Sequence, residues 1–202
     1  MNGVRSEVEI QDLADTFKWA DQRVTYDENG NRSSYLQTSD EGVLTEIDYV
    51  LGIRSKVTRT DVNDVETWLE SVTNYNAEGT SVDRTVRFDD GRVQETTFVN
   101  GIRSEVETRD LADAFDWAEQ RITFDENGSR TSNTQTSDEG VLTEIDYVLG
   151  IRAKRTQTDV NDVETWAEIV TNYDALGARV DRTVRYDDGQ LDVTVYADDF
   201  IF

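Results

Sequence analysis

One eight-residue pattern returns four times along the chain at a constant step of 49 residues. The pattern is D-x-x-D-x-x-x-W, and it reads DLADTFKW at 12–19, DVNDVETW at 61–68, DLADAFDW at 110–117 and DVNDVETW at 159–166. Glycines keep the same step, at Gly30, Gly79, Gly128 and Gly177. Self-similarity at a fixed period of this length is typical of solenoids, propellers and other repeat arrays. The chain is therefore predicted to be a tandem array and not one or two ordinary domains.

The repeat boundaries follow from this step. They are 1–49, 50–98, 99–147 and 148–202, the last with a C-terminal cap or tail, and together they form one continuous array. Alternate copies are the more similar ones, since SDEGVLTEIDYVLGIR stands at 39–54 and again at 137–152. The duplicated unit is thus a pair of copies. Because the first five residues are in phase with FVNGIR at 98–103, the chain is expected to begin inside a longer array.

Between the turn signals the apolar residues alternate with polar ones. Val43, Thr45, Ile47 and Tyr49 share one face of the segment VLTEIDY, a period of two that predicts a half-buried β-strand. Asn-Gly and Asp-Gly dipeptides separate such segments and favour hairpins. Asn-Gly does so because both central residues of the tight turn need positive φ. Each copy then holds about four strands. The predicted fold is an all-β antiparallel meander, built as an open, elongated or spiralling array, with a four-bladed propeller as the alternative.

Composition excludes several classes of function. The 202 residues include 43 acidic and 20 basic ones, a net charge of −23, which argues against nucleic-acid binding and against docking on anionic lipid. No apolar run approaches the roughly 18 residues that a membrane span needs. Cysteine and histidine are both absent, so the commonest nucleophile–base pairs are missing. Every carboxylate pair recurs in several copies, whereas catalysis needs one asymmetric pocket, and no enzyme is predicted.

The repeated aspartates have two interpretations. In the first, they accept backbone N–H bonds and cap a short helical turn. In the second, their oxygens, completed by backbone carbonyls, hold calcium, which would be the one cofactor of the chain. Both interpretations concern the same eight candidate residues: Asp12, Asp15, Asp61, Asp64, Asp110, Asp113, Asp159 and Asp162.

The four tryptophans also have two interpretations. Trp19, Trp68, Trp117 and Trp166 are predicted to be structural residues that pack the turns onto the sheet, because the array has few other large apolar groups to bury. As the alternative, their rings form platforms on which sugar rings stack. The arginines that follow the repeated glycines are expected to pair with acidic residues on neighbouring strands.

The turn sequences YDENGNR and YDALGAR, at 26–32 and 173–179, resemble the tyrosine-aspartate (YD or RHS-type) repeats of large secreted bacterial proteins. The acidic, cysteine-free composition is similar to that of RTX-type proteins, which type I systems export, although the GGxGxD calcium motif of that family is absent. The C-terminal DDFIF at 198–202 looks like the end of a type I secretion signal. These resemblances imply a bacterial protein that is secreted or held at the cell surface.

The function expected from these features is a structural or adhesive repeat segment of such a protein, stabilised by calcium. A carbohydrate-binding module that uses the tryptophan sites is the alternative. The expected partners are the neighbouring repeats of a longer chain and surface polysaccharide, with no nucleic acid and no insertion into a membrane.

Overall fold

The structure is a computed structural model that describes residues 6–196, and these residues form sixteen β-strands and no helix. The all-β prediction and its count of about four strands per repeat are confirmed. The DDFIF segment lies outside the described residues. The strands are β1 (Glu7–Gln11), β2 (Trp19–Tyr26), β3 (Arg32–Ser39), β4 (Val43–Val50), β5 (Ile53–Asp61), β6 (Trp68–Tyr75), β7 (Ser81–Phe88), β8 (Arg92–Val99), β9 (Ile102–Asp110), β10 (Trp117–Phe124), β11 (Arg130–Ser137), β12 (Val141–Val148), β13 (Ile151–Asp159), β14 (Trp166–Tyr173), β15 (Arg179–Tyr186) and β16 (Leu191–Val195).

The chain divides into two compact units, Met1–Gly101 and Ile102–Phe202. The first holds β1 to β8 and the second β9 to β16, and in each unit every strand pairs antiparallel with its neighbours in the sequence. The sheet stays open at its outer strands, where β1 pairs with β2 alone and β16 with β15 alone among the described residues. The predicted open meander is confirmed.

Pairing does not stop at the repeat boundaries inside a unit. Val43 of β4 pairs with Asp61 of β5, and this ladder continues to Val50 and Ile53 across the end of the first repeat. β12 and β13 repeat the same register 98 residues later. A propeller would break the ladder here, because each blade is a separate four-stranded sheet. The propeller alternative is therefore wrong.

Each unit is a single layer of strands. Strands contact only their sequence neighbours, and no side chain in the described part of the chain is fully buried. The most buried apolar side chains, Val184 and Val86, keep 4% and 6% of their surface exposed. With no second layer to pack on, the sheet relies on contacts between side chains of adjacent strands.

The large aromatic residues sit beside bulges in the ladders. The register shifts between Trp68 and Glu70 and between Asn74 and Tyr75, where β6 pairs with β7. Corresponding shifts flank Trp19 and Tyr26 of β2. A bulge re-aims the neighbouring side chain and sharpens the local twist. Bulges therefore set where the repeated aromatic rings lie.

The turns differ in part from the prediction. Only Gly30 has positive φ in the Asn29–Gly30 turn, so this hairpin is not closed by the two-residue turn expected for Asn-Gly. Two successive residues with positive φ occur at Asn100–Gly101, an Asn-Gly dipeptide, and also at Leu51–Gly52, with φ of 53° and 79°, and at Leu149–Gly150. The leucines occupy a left-handed conformation that is unfavourable for L-residues other than Asn and Asp.

Replacing the strained leucine is expected to stabilise the protein. Leu51 is 80% exposed and loses little packing when it is replaced. Leu51→Asn should stabilise the fold by about 1 kcal/mol and raise the midpoint of thermal unfolding by about 2–4 °C. The reverse change Asn100→Leu, at a position with the same φ of about 52°, serves as the control and should lower the midpoint. An unchanged or lower midpoint for Leu51→Asn would show that the leucine is not strained.

Candidate functional site

The D-x-x-D loops occupy the same position in all four repeats. Each connects an odd-numbered strand to the next even-numbered one: β1 to β2, β5 to β6, β9 to β10 and β13 to β14. The first aspartate ends or follows the incoming strand, and the tryptophan begins the outgoing one. The tight turns after β3, β7, β11 and β15 lie at the same end of the strands, since a meander alternates its turns between two ends. We call this end the acidic edge.

The first aspartate of each loop is half-buried and accepts a backbone hydrogen bond from the residue five positions later. Oδ2 of Asp12 accepts from Phe17 N at 2.6 Å, and Oδ2 of Asp61 accepts from Glu66 N at 2.7 Å. The same bond joins Asp110 to Phe115 and Asp159 to Glu164, each at 2.7 Å. These bonds close the loop as the capping interpretation requires.

The second aspartate of each loop differs from the first, and it has the same backbone conformation in all four copies. Asp15, Asp64, Asp113 and Asp162 are exposed and have positive φ, between 51° and 56°. Aspartate tolerates this region better than most residues because its short side chain bonds locally. The loop is therefore not the helical turn that the capping interpretation assumed. The second aspartate position therefore favours a residue that tolerates the left-handed backbone conformation.

Loop and turn are tied together at the acidic edge. Asn63 Nδ2 donates to the carbonyl of Glu41 at 3.3 Å, and the backbone of Val62 donates to Gly42 at 3.1 Å. Asn63 lies against Gly42, so a Cβ at that buried glycine would collide with its amide. Asn161 and Gly140 repeat the arrangement in the second unit. Glycine is required at this turn because an aspartate loop packs on it.

Carboxylates of the turns face those of the loops. Desolvation, with the charges of Asp64 and Asp61, raises the pKa of Asp89 above its ordinary value of 3.8. The pKa values of Asp40, Asp138 and Asp187 are raised by the same causes. A raised pKa means that the folded state binds the proton more readily than the unfolded chain. These groups therefore lower the stability of the fold as the pH rises from their ordinary pKa of 3.8 to the raised pKa, and the penalty is constant at higher pH.

Calcium at the acidic edge stays a prediction. No group of three or more acidic side chains among residues 6–196 is arranged so that it would hold a metal ion. In two copies one oxygen of the first aspartate, Oδ1 of Asp61 and of Asp159, is buried and has no hydrogen-bond partner. In the other two copies the same oxygen accepts from Ala14 N or Ala112 N. In the second and fourth copies this oxygen has no role under the capping interpretation, whereas under the metal interpretation it would be a calcium ligand.

The two interpretations predict different melting behaviour. If calcium binds, the midpoint of thermal unfolding should rise in millimolar calcium and fall in chelator, because a ligand of the folded state stabilises it by about 2.7 kcal/mol at a hundredfold excess over its dissociation constant. Asp61→Asn with Asp64→Asn should remove part of that rise. If the aspartates only cap the loop, the double variant loses stability but calcium has no effect. Sodium at matched ionic strength is the control for general screening.

The tryptophans lie at the start of their strands, on the same face as the first aspartate. Trp117 is 8% exposed, and the other three are half-buried. Trp19 stacks on Phe17 with ring centroids 5.2 Å apart, and Trp117 stacks on Phe115 at 5.4 Å. In the second and fourth copies a glutamate replaces the phenylalanine. The four tryptophan sites are therefore of two kinds.

Arginine and aromatic side chains form a ladder near the opposite end of the strands, a feature that the sequence analysis missed. Tyr49 pairs across the hairpin with Arg54, whose guanidinium lies over the ring of Tyr75 on the next strand at 5.4 Å. The same stacking joins Arg32 to Tyr49 at 5.5 Å. In the second unit it joins Arg103 to Phe124, Arg130 to Tyr147, Arg152 to Tyr173 and Arg179 to Tyr196.

This ladder corrects the expectation for the arginines. They were expected to pair with acidic residues across strands, but none of those named in the ladder forms an ion pair. The cross-strand ion pairs lie on the other face, for example Arg23 with Glu7 and Arg87 with Glu70, both at 3.5 Å. The repeated order of aromatic, glycine and arginine marks these positions in the sequence, but which ring each arginine stacks on follows only from the strand register.

One rung of the ladder is missing. Ser81 stands at the position that Arg32, Arg130 and Arg179 occupy in the other repeats. As a consequence, no cation stacks on the ring of Phe98 among the described residues. Phe98 is half-buried and lies on the strand next to that of Ser81.

Restoring this rung is expected to stabilise the first unit. Ser81→Arg should place a guanidinium over Phe98 and add about 0.5–1 kcal/mol, the range of an exposed cation–π contact. Ser81→Gln adds a side chain without the charge and is the matched control. Thermal unfolding measures both. Equal gains for the two variants, or none for Ser81→Arg, would show that the stacking does not contribute to stability.

Comparison with known proteins assigns no family. No protein-family model matches the chain. No curated protein matches it either. Within the described residues, no helix is long and apolar enough to cross a membrane.

Proposed function

We propose that this chain is a structural or adhesive repeat segment of a large bacterial protein that is secreted by a type I system or held at the cell surface. The observation that carries the proposal is the pairing across the repeat boundary. β4 and β5 belong to different repeats, yet they pair over as long a ladder as β2 and β3, which belong to one repeat. Repeats that join in this way extend a sheet by adding copies, which suits a spacer or shell.

The likeness to YD-type and RTX-type repeats supports the same proposal, and so does the acidic composition. In this function the partners are the neighbouring repeats of a longer chain and polysaccharide at the cell surface. No catalytic role is proposed, because each carboxylate pair and each tryptophan recurs at the repeat step instead of marking one pocket. Calcium, if it binds at the acidic edge, would reduce repulsion among the crowded carboxylates.

Carbohydrate binding at the tryptophan sites is the alternative function. The stacked pair of Phe17 and Trp19 favours it, because Phe17 is 58% exposed and offers a broad aromatic surface. Phe115 and Trp117 present a second such pair, with Phe115 37% exposed. Protection of tryptophan fluorescence from acrylamide quenching by a neutral oligosaccharide would support this alternative over the structural one.

The structural proposal is tested by determining where in the culture the protein that contains this chain is found. Antibodies raised against residues 6–196 should label intact cells of the organism that encodes the chain, or detect the protein in its culture medium. Pretreatment of intact cells with protease should abolish the surface label and leave a cytosolic marker unaffected. Detection in the cytosolic fraction alone would contradict the proposal.

A further inference from the structure

The two faces of the first unit carry opposite charge. Register places Arg32, Arg54, Arg59 and Arg84 on one face, which we call the arginine face. Asp61, whose carboxylate caps its loop, is the one acidic residue among the described strand positions of that face. The acidic residues of the strands point to the other face: Glu7, Glu9, Asp21, Glu46, Asp48, Glu70, Asp83 and Glu95. A chain of net charge −23 thus keeps one sheet surface locally positive.

Three arginines of this face, Arg54, Arg59 and Arg84, form no ion pair with a carboxylate among the described residues. Arg54 stacks on Tyr75, and Arg84 donates from Nε to the hydroxyl of Ser71 at 3.1 Å. Arg59 is exposed and makes no hydrogen bond or ion pair among the described residues. In a chain with 43 acidic residues, three guanidinium groups without a carboxylate leave a site open for an external anion.

These arginines line a shallow groove of about 470 Å³. The rings of Tyr75 and Phe98 line it together with hydroxyl and aliphatic side chains. No acidic residue lines it. The lining residues are Thr45, Ile47, Arg54, Val57, Arg59, Ser71, Thr73, Tyr75, Ser81, Arg84 and Phe98.

The missing rung of the ladder lies in this groove. Because Ser81 replaces arginine, the ring of Phe98 stays uncovered next to Ser81 and Arg84. The corresponding ring of the second unit, Tyr196, is covered by Arg179 at 6.0 Å. One groove of the chain therefore combines unpaired guanidinium groups, hydroxyl groups and an open aromatic ring.

We propose that this groove binds an acidic oligosaccharide, one whose sugar rings carry carboxylates. Arg59 and Arg84 bind the carboxylates, with Arg54 as a third cation held in place by Tyr75. Phe98 stacks on the apolar face of one sugar ring, and the hydroxyl groups of Thr73 and Ser81 bond to sugar hydroxyls. Guanidinium groups bind carboxylates through charge-assisted, often bidentate hydrogen bonds, which suits them to this ligand class. The groove itself contains no tryptophan, although Arg59 also lines the neighbouring pocket beside Trp68. The proposal rests on the adhesive form of the proposed function, and it names the acidic class of sugar and the residues that bind it.

The binding experiment uses an oligomer of galacturonic acid and calorimetry at about 0.15 M salt, where repulsion from the distant carboxylates is screened within roughly 8 Å. We expect one site per chain, since each ladder ring of the second unit, Phe124, Tyr147, Tyr173 and Tyr196, is covered by an arginine. The double variant Arg59→Gln, Arg84→Gln should weaken binding by at least about tenfold, the effect of losing two charge-assisted hydrogen bonds. Arg23→Gln with Arg87→Gln is the matched control, because it removes the same charge from the opposite face. It should change affinity by less than about twofold.

Ser81→Arg separates the aromatic contact from the charge. This variant adds a cation to the groove but covers Phe98, so it should weaken binding if the sugar stacks on the ring. Circular dichroism and thermal unfolding establish that each variant is folded.

Several results would overturn the proposal. They are the absence of binding to the unchanged protein at millimolar oligomer, equal losses in the two double variants, tighter binding by Ser81→Arg, or two sites per chain. A glutamate hexamer that binds as tightly as the sugar would assign the groove to acidic peptides instead. The fully methyl-esterified oligomer should not bind, and its binding at full affinity would show that the arginines play no part.

Discussion

The rest of the structure depends on one constraint, which is that each unit is a single layer. Between residues 6 and 196 a strand contacts only the strands before and after it, so no second sheet or helix from this part of the chain covers either face. Side chains on adjacent strands must then supply the stabilisation that a core supplies elsewhere. The arginine–aromatic ladder does this near one end of the strands, and the tryptophans and capped loops do it near the other. The constant step of 49 residues follows, because each added repeat must bring its own contacts for its neighbour.

The acidic and basic side chains also occupy different parts of this single layer. The acidic edge gathers carboxylates, and desolvation together with their mutual repulsion raises the pKa of Asp89 and its counterparts. The ladder arginines lie near the opposite end of the strands, where they stack on aromatic rings and form no ion pairs with acidic residues. Guanidinium suits this role because it is planar and weakly hydrated, which an ammonium group is not. A large net charge at one edge and a positive face are therefore compatible in one thin sheet.

Much of the fold could be predicted from the sequence, because its signals are local. The alternation around Ile47 and the glycine turns specify strands and their number, and the structure has both. The alternation cannot show the bulges at Trp68 and Tyr75, since a bulge depends on the partner strand. The left-handed conformation of Leu51 was also missed, because leucine gives no turn signal. The loops illustrate both cases: capping by Asp61 was predicted, and the positive φ of Asp64 was not.

The arginine ladder was missed for a related reason. In an acidic chain the default partner of an arginine is a carboxylate, and spacing alone does not show which face of the sheet a side chain occupies. Only the register places Arg54 beside Tyr49 and over Tyr75. The same register reveals the vacancy at Ser81, which in the sequence is a single change among many. Departures from a repeat are therefore informative once the face and the neighbours of each position are known.

Amide hydrogen exchange tests the central claim, that repeats are joined by the same strand pairing that holds each repeat together. The measurement compares β4 and β5, which meet at a repeat boundary, with β2 and β3, which pair inside a repeat. We predict similar protection for hydrogen-bonded amides of both pairs, because their ladders are of similar length and local opening reflects the bonds that must break. Exchange at the boundary that is faster by orders of magnitude would contradict the account, since the repeats would then be separate modules that merely follow one another.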